Sequence, residues 1–284
     1  MANMKQHKLG WIGIGRMGYA MAERLAKAGC DISVWNRTKS KAEPLAKSGA
    51  KVVDNLSDLA GCDIVFTMVS TGKDVKEVLF GANGVMSKGG APKIVVDSTS
   101  ISLEESAEIR HKLGEKNIQF LAAPVSGNAK VIKANKLTVV ASGPKAAFDA
   151  VSPYLDAIGR GSSYVGEGEL SRIAKICHNV MLGVVIQNLC EITVLAEKAG
   201  MQRHAFLDFH VTFTPQLLLK DIDLGLSSAR TYGVPMPTTS AARDQVQTLI
   251  GHGYDQDFSQ LILQQAKAAG IELKSENVNI GDGL

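Results

Sequence analysis

One short stretch limits what this chain can fold into more than any other. Gly13-Ile14-Gly15-Arg16-Met17-Gly18 follows a strand-like apolar run at Leu9–Ile14 and opens a helical pattern at Met17–Ala28. In that pattern Met17, Met21, Leu25 and Ala28 recur at helical spacing, and Gly29 marks the end. Strand, glycine turn and helix in this order make a dinucleotide fingerprint. The first glycine allows a tight turn, the second lets the backbone approach a pyrophosphate, and the third lets the helix pack close to the strand. The free N–H groups at the helix start favour the phosphates. A bare pattern of three glycines is weak evidence. Its place between a strand and a helix, with a second strand at Asp31–Trp35, gives it weight. All six residues from Gly13 to Gly18 are therefore candidate cofactor-binding positions.

The same alternation continues. A second helix is expected at Ser40–Ser48, interrupted near its start by Pro44, and a short strand at Lys51–Val53. Strands are expected at Cys62–Val69, Lys93–Asp97 and Gln119–Ala123, with helices at Lys73–Leu79 and Leu103–Glu115 between them. Leu137–Ser142 is expected to pair with Ser163–Val165. Alternating strands and helices predict a doubly wound, mainly parallel sheet, an α/β Rossmann domain. The pattern changes near Gly166. Leu170–Ala199 reads as one long helix, apolar nearly all round between Cys177 and Leu195, as in helices buried between domains or subunits. Helical stretches follow at Arg203–His210, Gln216–Tyr232, Thr238–Gly251 and Phe258–Ala269. The expected organisation is a Rossmann domain over 1–166 and an all-α domain over 167–284, joined by a long helix at about 170–199, with a polar tail from Ser275.

Composition narrows the function classes. A chain of 284 residues has room for about two domains at roughly 150 residues each. The net charge is 31 − 28 = +3, spread along the chain, which argues against a nucleic-acid binder. No apolar run reaches the ~18 residues of a membrane helix, and Met1 to Lys8 lacks the order of a signal peptide. The four cysteines (Cys30, Cys62, Cys177 and Cys190) form no C-x-x-C pair, so reduced thiols and a cytoplasmic location are expected. The six histidines are scattered and no metal site is expected.

The end of the second strand bears on cofactor choice. NAD-binding chains usually carry an acidic residue there to hold the ribose 2′-OH. Here Asn36 stands 18 residues after Gly18, followed by Arg37 and Thr38. No carboxylate at this point repels a 2′-phosphate, and Arg37 can pair with one in a bidentate, charge-assisted way. Asn36 and Thr38 can add hydrogen bonds. NADP(H) is expected over NAD(H), with NAD(H) remaining possible. On the long helix, Lys175 has Ser171 at i−4 and Asn179 at i+4, so the three share a face. A lysine in an otherwise apolar helix is costly unless paired or functional, and such lysines serve as proton donors or acceptors.

Three further stretches make a family recognisable: Ala123-Pro124-Val125-Ser126-Gly127-Asn128, Lys175-Ile176-Cys177-His178-Asn179 and Leu219-Lys220-Asp221. With the glycine turn, they resemble the β-hydroxyacid dehydrogenase family, over nearly the whole chain. That family includes 3-hydroxyisobutyrate dehydrogenase, tartronate semialdehyde reductase and glyoxylate/succinic semialdehyde reductases. The resemblance implies reversible hydride transfer between a nicotinamide cofactor and a small β-hydroxy acid or its aldehyde or keto form. It implies that Lys175 is the general acid and base and that Asn179 positions the substrate. The turn Ser126, Gly127 and Asn128 would bind the substrate carboxylate, through consecutive N–H groups and the serine hydroxyl. Asp97-Ser98-Thr99 ends a strand at the carboxyl edge of the sheet, and the resemblance places Thr99 near the nicotinamide. Met68 and Val69 resemble cofactor-contacting positions. Lys220 would reach back toward the cofactor, with Asp221 as a structural or site-closing partner. The apolar long helix points to a homodimer or homotetramer.

The chain departs from the family pattern in places. Many members read Asp-Ala-Pro-Val-Ser-Gly-Gly where this chain has Ala122 for the acid and Asn128 for the last glycine, although Asn128 recurs in the glyoxylate/succinic semialdehyde reductase branch. Between Phe209 and Phe213 a helix-sized stretch that walls the site in relatives is missing. Three readings compete: a true absence that opens the pocket, a mobile segment that this sequence omits, or a wall supplied by a partner subunit. An imine reductase-like enzyme shares the layout but usually replaces the lysine. 6-Phosphogluconate dehydrogenase has a much longer helical domain. A non-catalytic NADPH-binding relative is the rival from another class.

Overall fold

A computed structural model describes Met4, residues 6–198, residues 213–231 and residues 233–273. It divides into two compact units, Met1–Lys175 and Ile176–Leu284.

In the first unit the strands are β1 (Lys8–Ile12), β2 (Asp31–Trp35), β3 (Lys51–Val52), β4 (Ile64–Thr67), β5 (Ile94–Asp97) and β6 (Gln119–Ala122). They form one sheet in the order β3-β2-β1-β4-β5-β6. Neighbours are parallel throughout; Gly10 of β1, for example, stands between Ser33 and Val65. The doubly wound α/β architecture is thus present. β4 and β5 read as unbroken apolar runs because a parallel sheet is covered on both faces. Alternate residues go to opposite layers. Leu9, Trp11, Phe66 and Val96 pack with α1 (Arg16–Lys27) and α5 (Lys145–Ile158). Val65, Val95 and Phe120 pack with α2 (Gly72–Phe80) and α3 (Leu103–Gly114). Trp11 stacks on Phe66 with ring centroids 5.3 Å apart.

Beyond β6 the chain turns into a smaller sheet of β7 (Val125–Ser126), β8 (Thr138–Ala141) and β9 (Gly161–Tyr164), with the short helix α4 (Ala129–Lys133) after β7. β8 pairs parallel with β9, as expected for Leu137–Ser142, although β9 begins earlier than the expected Ser163. An antiparallel bridge between Ala122 and Ser142 joins this sheet to the end of β6. The expected helix at Ser40–Ser48 is instead two 3-10 segments, Lys39–Lys41 and Glu43–Ser48. Pro44 occupies the first turn of the second, and Gly49 ends it at φ +96°.

The long helix α6 runs from Leu170 to Lys198. In the second unit α7 (Pro215–Thr231) and α8 (Pro237–Gly251) lie within a residue of the helical stretches read from the sequence, whereas α9 (Leu261–Ala268) starts three residues later than expected, after a 3-10 segment at Phe258–Gln260. They enclose a core of Leu218, Ile222, Val246, Leu249, Phe258 and Ile262. α7 and α6 approach closely at Gly225, where a Cβ would stand 2.3 Å from Val180 Cγ2. The expected helix at Arg203–His210, the shortened stretch after Phe209 and the tail from Ser275 lie outside the described residues. Among the described residues, no helix is long and apolar enough to cross a membrane.

Candidate functional site

The glycine turn leaves β1 at its carboxyl end. Gly13 takes φ +98°, and a Cβ there would stand 2.2 Å from Met68 O. A Cβ on Gly18 would stand 2.0 Å from Gly13 O. The chain's own packing therefore demands both glycines. Gly15 differs: a Cβ there would meet no atom within 4 Å. Gly15 leaves open space beside the turn. Gly15 is also the N-cap of α1, with no side-chain cap, so the helix start presents its N–H groups outward. These features fit a pyrophosphate laid across the turn.

The turn forms one side of a cleft of about 600 Å³. The cleft sits at the carboxyl ends of β1, β2 and β4, where the strand order reverses and sheets of this type bind ligands. All six residues from Gly13 to Gly18 line it, as do Asn36, Arg37, Thr38, Met68 and Val69. Both ends of the Asn36 amide are engaged by the backbone. Its Oδ1 accepts from Ile14 N at 2.9 Å and its Nδ2 donates to Thr38 O at 2.9 Å. Asn36 thus ties the glycine turn to the loop carrying Arg37. Lys41 lines the same end of the cleft, and sequence reasoning had passed it over. Asp54 also lines it, with its carboxylate paired to Lys39 at 2.5 Å.

Thr99 does not line the cleft. It is fully buried, and its hydroxyl accepts a hydrogen bond from Val69 N at 3.1 Å, so it stands one layer behind the wall. Ser126 lies in β7, paired with Thr138. Gly127 follows at φ +135°, and Asn128 is the N-cap of α4, with its Oδ1 accepting from Val131 N at 3.0 Å. The Asn128 side chain is therefore a helix cap, a role its position before an apolar stretch could have revealed.

Lys175 is half-buried on α6, at the end of the first unit. Ser171, one turn before it, is fully buried, donates to Ala122 O at 2.9 Å and bonds Ser142 Oγ at 2.8 Å. Between them lies a residue that sequence reasoning missed. Arg172 is 2% exposed and pairs with the fully buried Asp97 at 2.6 Å. The signal was available: Arg172, like Lys175, is a cation in a largely apolar helix. In the second unit, Asn179 is buried and its Nδ2 donates to Asp221 Oδ2 at 2.5 Å. His178 Nδ1 lies 3.2 Å from Asn179 Oδ1, and Lys220 Nζ lies 3.8 Å from Asp221. Burial pushes the Cys30 and Cys62 thiols up to about 11, which keeps both protonated and unreactive at neutral pH. Among the described residues, no cluster of three metal-ligating side chains occurs.

The chain is similar to known proteins in sequence and in fold. The family model for the NAD binding domain of 6-phosphogluconate dehydrogenase matches residues 8–166, more than half of the chain. Glyoxylate/succinic semialdehyde reductase 2 of Arabidopsis thaliana, a chloroplastic protein, is 29% identical across 92% of this chain and 80% of its own length. An uncharacterized oxidoreductase of Shewanella frigidimarina is 30% identical across 87% of this chain and 95% of its own. Among solved structures, 3-hydroxyisobutyrate dehydrogenase from Salmonella typhimurium superposes with a TM-score of 0.78 at 26% identity, over 90% of this chain and 98% of that one. With a nicotinamide-cofactor domain matched from β1 to β9 and relatives aligned over most of the chain, the protein belongs to the β-hydroxyacid dehydrogenase family of NAD(P)-dependent oxidoreductases.

Proposed function

We propose that the protein is an NADPH-dependent reductase of a small aldehyde or keto acid, forming the corresponding hydroxy acid, with Lys175 as its general acid. One observation carries the reading. A half-buried lysine stands one turn beyond the point where α6 is bonded to the sheet's carboxyl edge, and that same edge walls the cofactor cleft. When bound, the nicotinamide supplies hydride to the carbonyl carbon, or accepts it in reverse. The N–H groups of Gly15 to Gly18, at the start of α1, would hold the pyrophosphate, and Arg37, Thr38 and Lys41 would meet the 2′-phosphate. Ser126 and the N–H groups of Gly127 and Asn128 hold the substrate carboxylate. The Lys175 ammonium gives its proton to the carbonyl oxygen as the C–H bond forms, so one hydride and one proton turn the carbonyl into an alcohol. Asn179 orients the substrate, and Asp221 fixes its amide.

The choice of NADPH favours reduction, because cells keep that pool reduced. A reducing cytoplasm suits the two buried thiols. Met181 and Val185, more than half exposed on α6, suit a two-fold homo-oligomer.

The test follows the absorbance of NADPH or NADH mixed with purified protein. The panel is glyoxylate, succinic semialdehyde, tartronate semialdehyde and methylmalonate semialdehyde. NADPH is expected to be consumed with one of them, and Lys175→Ala to lower kcat about 100-fold or more. Tight NADPH binding with no turnover across the panel would instead favour a cofactor-binding protein without catalysis.

A further inference from the structure

At the root of α6, charged side chains alternate in sign from the half-buried rim inward. Arg110 Nε donates to Glu169 Oε1 at 3.0 Å, and Glu169 Oε2 lies 3.5 Å from Arg172 Nε. Arg172 Nη2 donates to Asp97 Oδ2 at 2.6 Å. Arg172 spends its fork on two further elements. Nε donates to Ser106 Oγ of α3 at 2.6 Å, and Nη1 donates to Thr99 O at 2.7 Å. The other oxygen of Asp97 accepts from Thr67 Oγ1 of β4 at 2.6 Å and from Thr99 N at 3.2 Å. Ser171 adds bonds to Ala122 at the end of β6 and to Ser142 just past β8. The first turn of α6 is thus fastened to the ends of β5, β6 and β8 and to α3, and through Asp97 to β4.

Such a cluster is an expensive source of stability. Apolar residues of similar volume often do as well as a buried ion pair, because desolvation offsets the attraction. What a guanidinium fork provides is direction. Two parts of the catalytic reading hang from this one. Thr99 is held by Arg172 through its carbonyl and by Asp97 through its N–H, and its hydroxyl in turn holds Val69 N in the cleft wall. Lys175 follows Arg172 by three residues, on the same side of the helix.

We propose that Arg172 is a positioning residue that sets Lys175 and the Thr99–Val69 wall in one rigid frame, so that proton donor and hydride donor keep a fixed spacing. The proposal rests on the reading of Lys175 as the general acid. A lapse of about 1 Å in such a frame costs up to about 100-fold in rate.

The test uses the full chain carrying Arg172→Lys, and the double variant Arg172→Met with Asp97→Asn, which leaves no buried charge alone. Three quantities are measured: kcat on the substrate found above, the NADPH dissociation constant, and the labelling rate of Lys175 in cofactor-free protein. The last uses a water-soluble amine-acylating reagent, read by mass spectrometry. In the double variant kcat is expected to fall about 10- to 100-fold, with the NADPH dissociation constant raised by a smaller factor than kcat falls. Lys175 labelling is expected to rise severalfold as the amine loses its fixed setting. Arg172→Lys, which keeps the charge without the fork, is expected to fall between the double variant and the native protein. Folded variants with native kcat and native labelling would overturn the proposal, and so would weakened NADPH binding with kcat unchanged. If neither variant folds, Ser106→Ala, which takes away one acceptor of the fork, decides by the same measurements. If the native protein turns over nothing on the panel, the role of Lys175 in catalysis fails, and the labelling rates still decide whether Arg172 sets its place.

Discussion

At position 36 the residue that closes β2 is an amide, and the consequences fall on its neighbour. Asn36 is held by the backbone on both sides, so the next side chain, Arg37, is presented along the cleft from a braced loop. A hydrogen bond to a charged group is worth about 1.5–3 kcal/mol, a factor of roughly 10 to 150 in affinity. Arg37→Ala is therefore expected to raise the NADPH dissociation constant by about 10- to 100-fold and to leave that for NADH nearly unchanged. Fluorescence titration of the reduced cofactors measures both. An equal loss for the two would show Arg37 acting on a part they share and would remove the basis for NADPH preference. Single residues were unevenly legible in the sequence. Arg37 could be read because its position after β2 is defined by the glycine turn. Arg172 showed in the sequence only as a cation in a largely apolar helix, and its partners, Asp97, Thr99 and Ser106, lie 66 to 75 positions away in the chain, where no local pattern points to them.

The glycine turn contains its own control. Gly15 and Gly18 belong to one motif, yet a Cβ would meet nothing at the first and would clash with Gly13 O at the second. Gly15→Ala places a methyl group in open space at φ −79°, a conformation alanine adopts without strain. It is expected to keep the melting temperature and weaken cofactor binding about 10-fold or more, because the methyl fills the phosphate's place. Gly18→Ala drives a Cβ to 2.0 Å from Gly13 O and is expected to lower the melting temperature as well. Thermal melts with and without NADPH separate the two. A stable Gly18→Ala protein would mean that α1 shifts without cost. The same dependence on packing decided which elements could be read in advance. β1, β2, β4 and β5 announce themselves as apolar runs closed by turns. α5 did not, because Pro144 and Pro153 break the helical pattern. Its helix survives Pro153 because five residues on one face are buried, and because Ser152 Oγ donates to Asp149 O at 3.4 Å, replacing the missing N–H. The 3-10 turns at Lys39–Ser48 likewise follow from local geometry around Pro44 that helical periodicity does not reveal.

Across the whole molecule, every residue lining the cofactor cleft belongs to the first unit, whereas Asn179, Asp221 and Lys220 belong to the second. Ligand binding to the folded state alone, at 100 times the dissociation constant, adds about 2.7 kcal/mol, which for a unit of this size raises its melting temperature by about 5–10 °C. NADPH is expected to produce that shift in the first unit and to slow amide exchange along the glycine turn and the ends of β1 and β4. Exchange in α8 and α9, whose core is built from Leu249, Ile262 and their neighbours, is expected to stay at its cofactor-free rate. Hydrogen exchange read by mass spectrometry distinguishes the units directly. Equal protection of α8 and α9 would mean that cofactor binding stabilises both units as one cooperative body. The root of α6 would then be the place to look for the coupling. There Arg172 and Ser171 bond the helix to the sheet edge behind the cleft, and the same helix runs on into the second unit. Repeating the exchange in Arg172→Lys would settle the route: protection that reaches α8 and α9 in the native chain and stops in the variant travels through that fork.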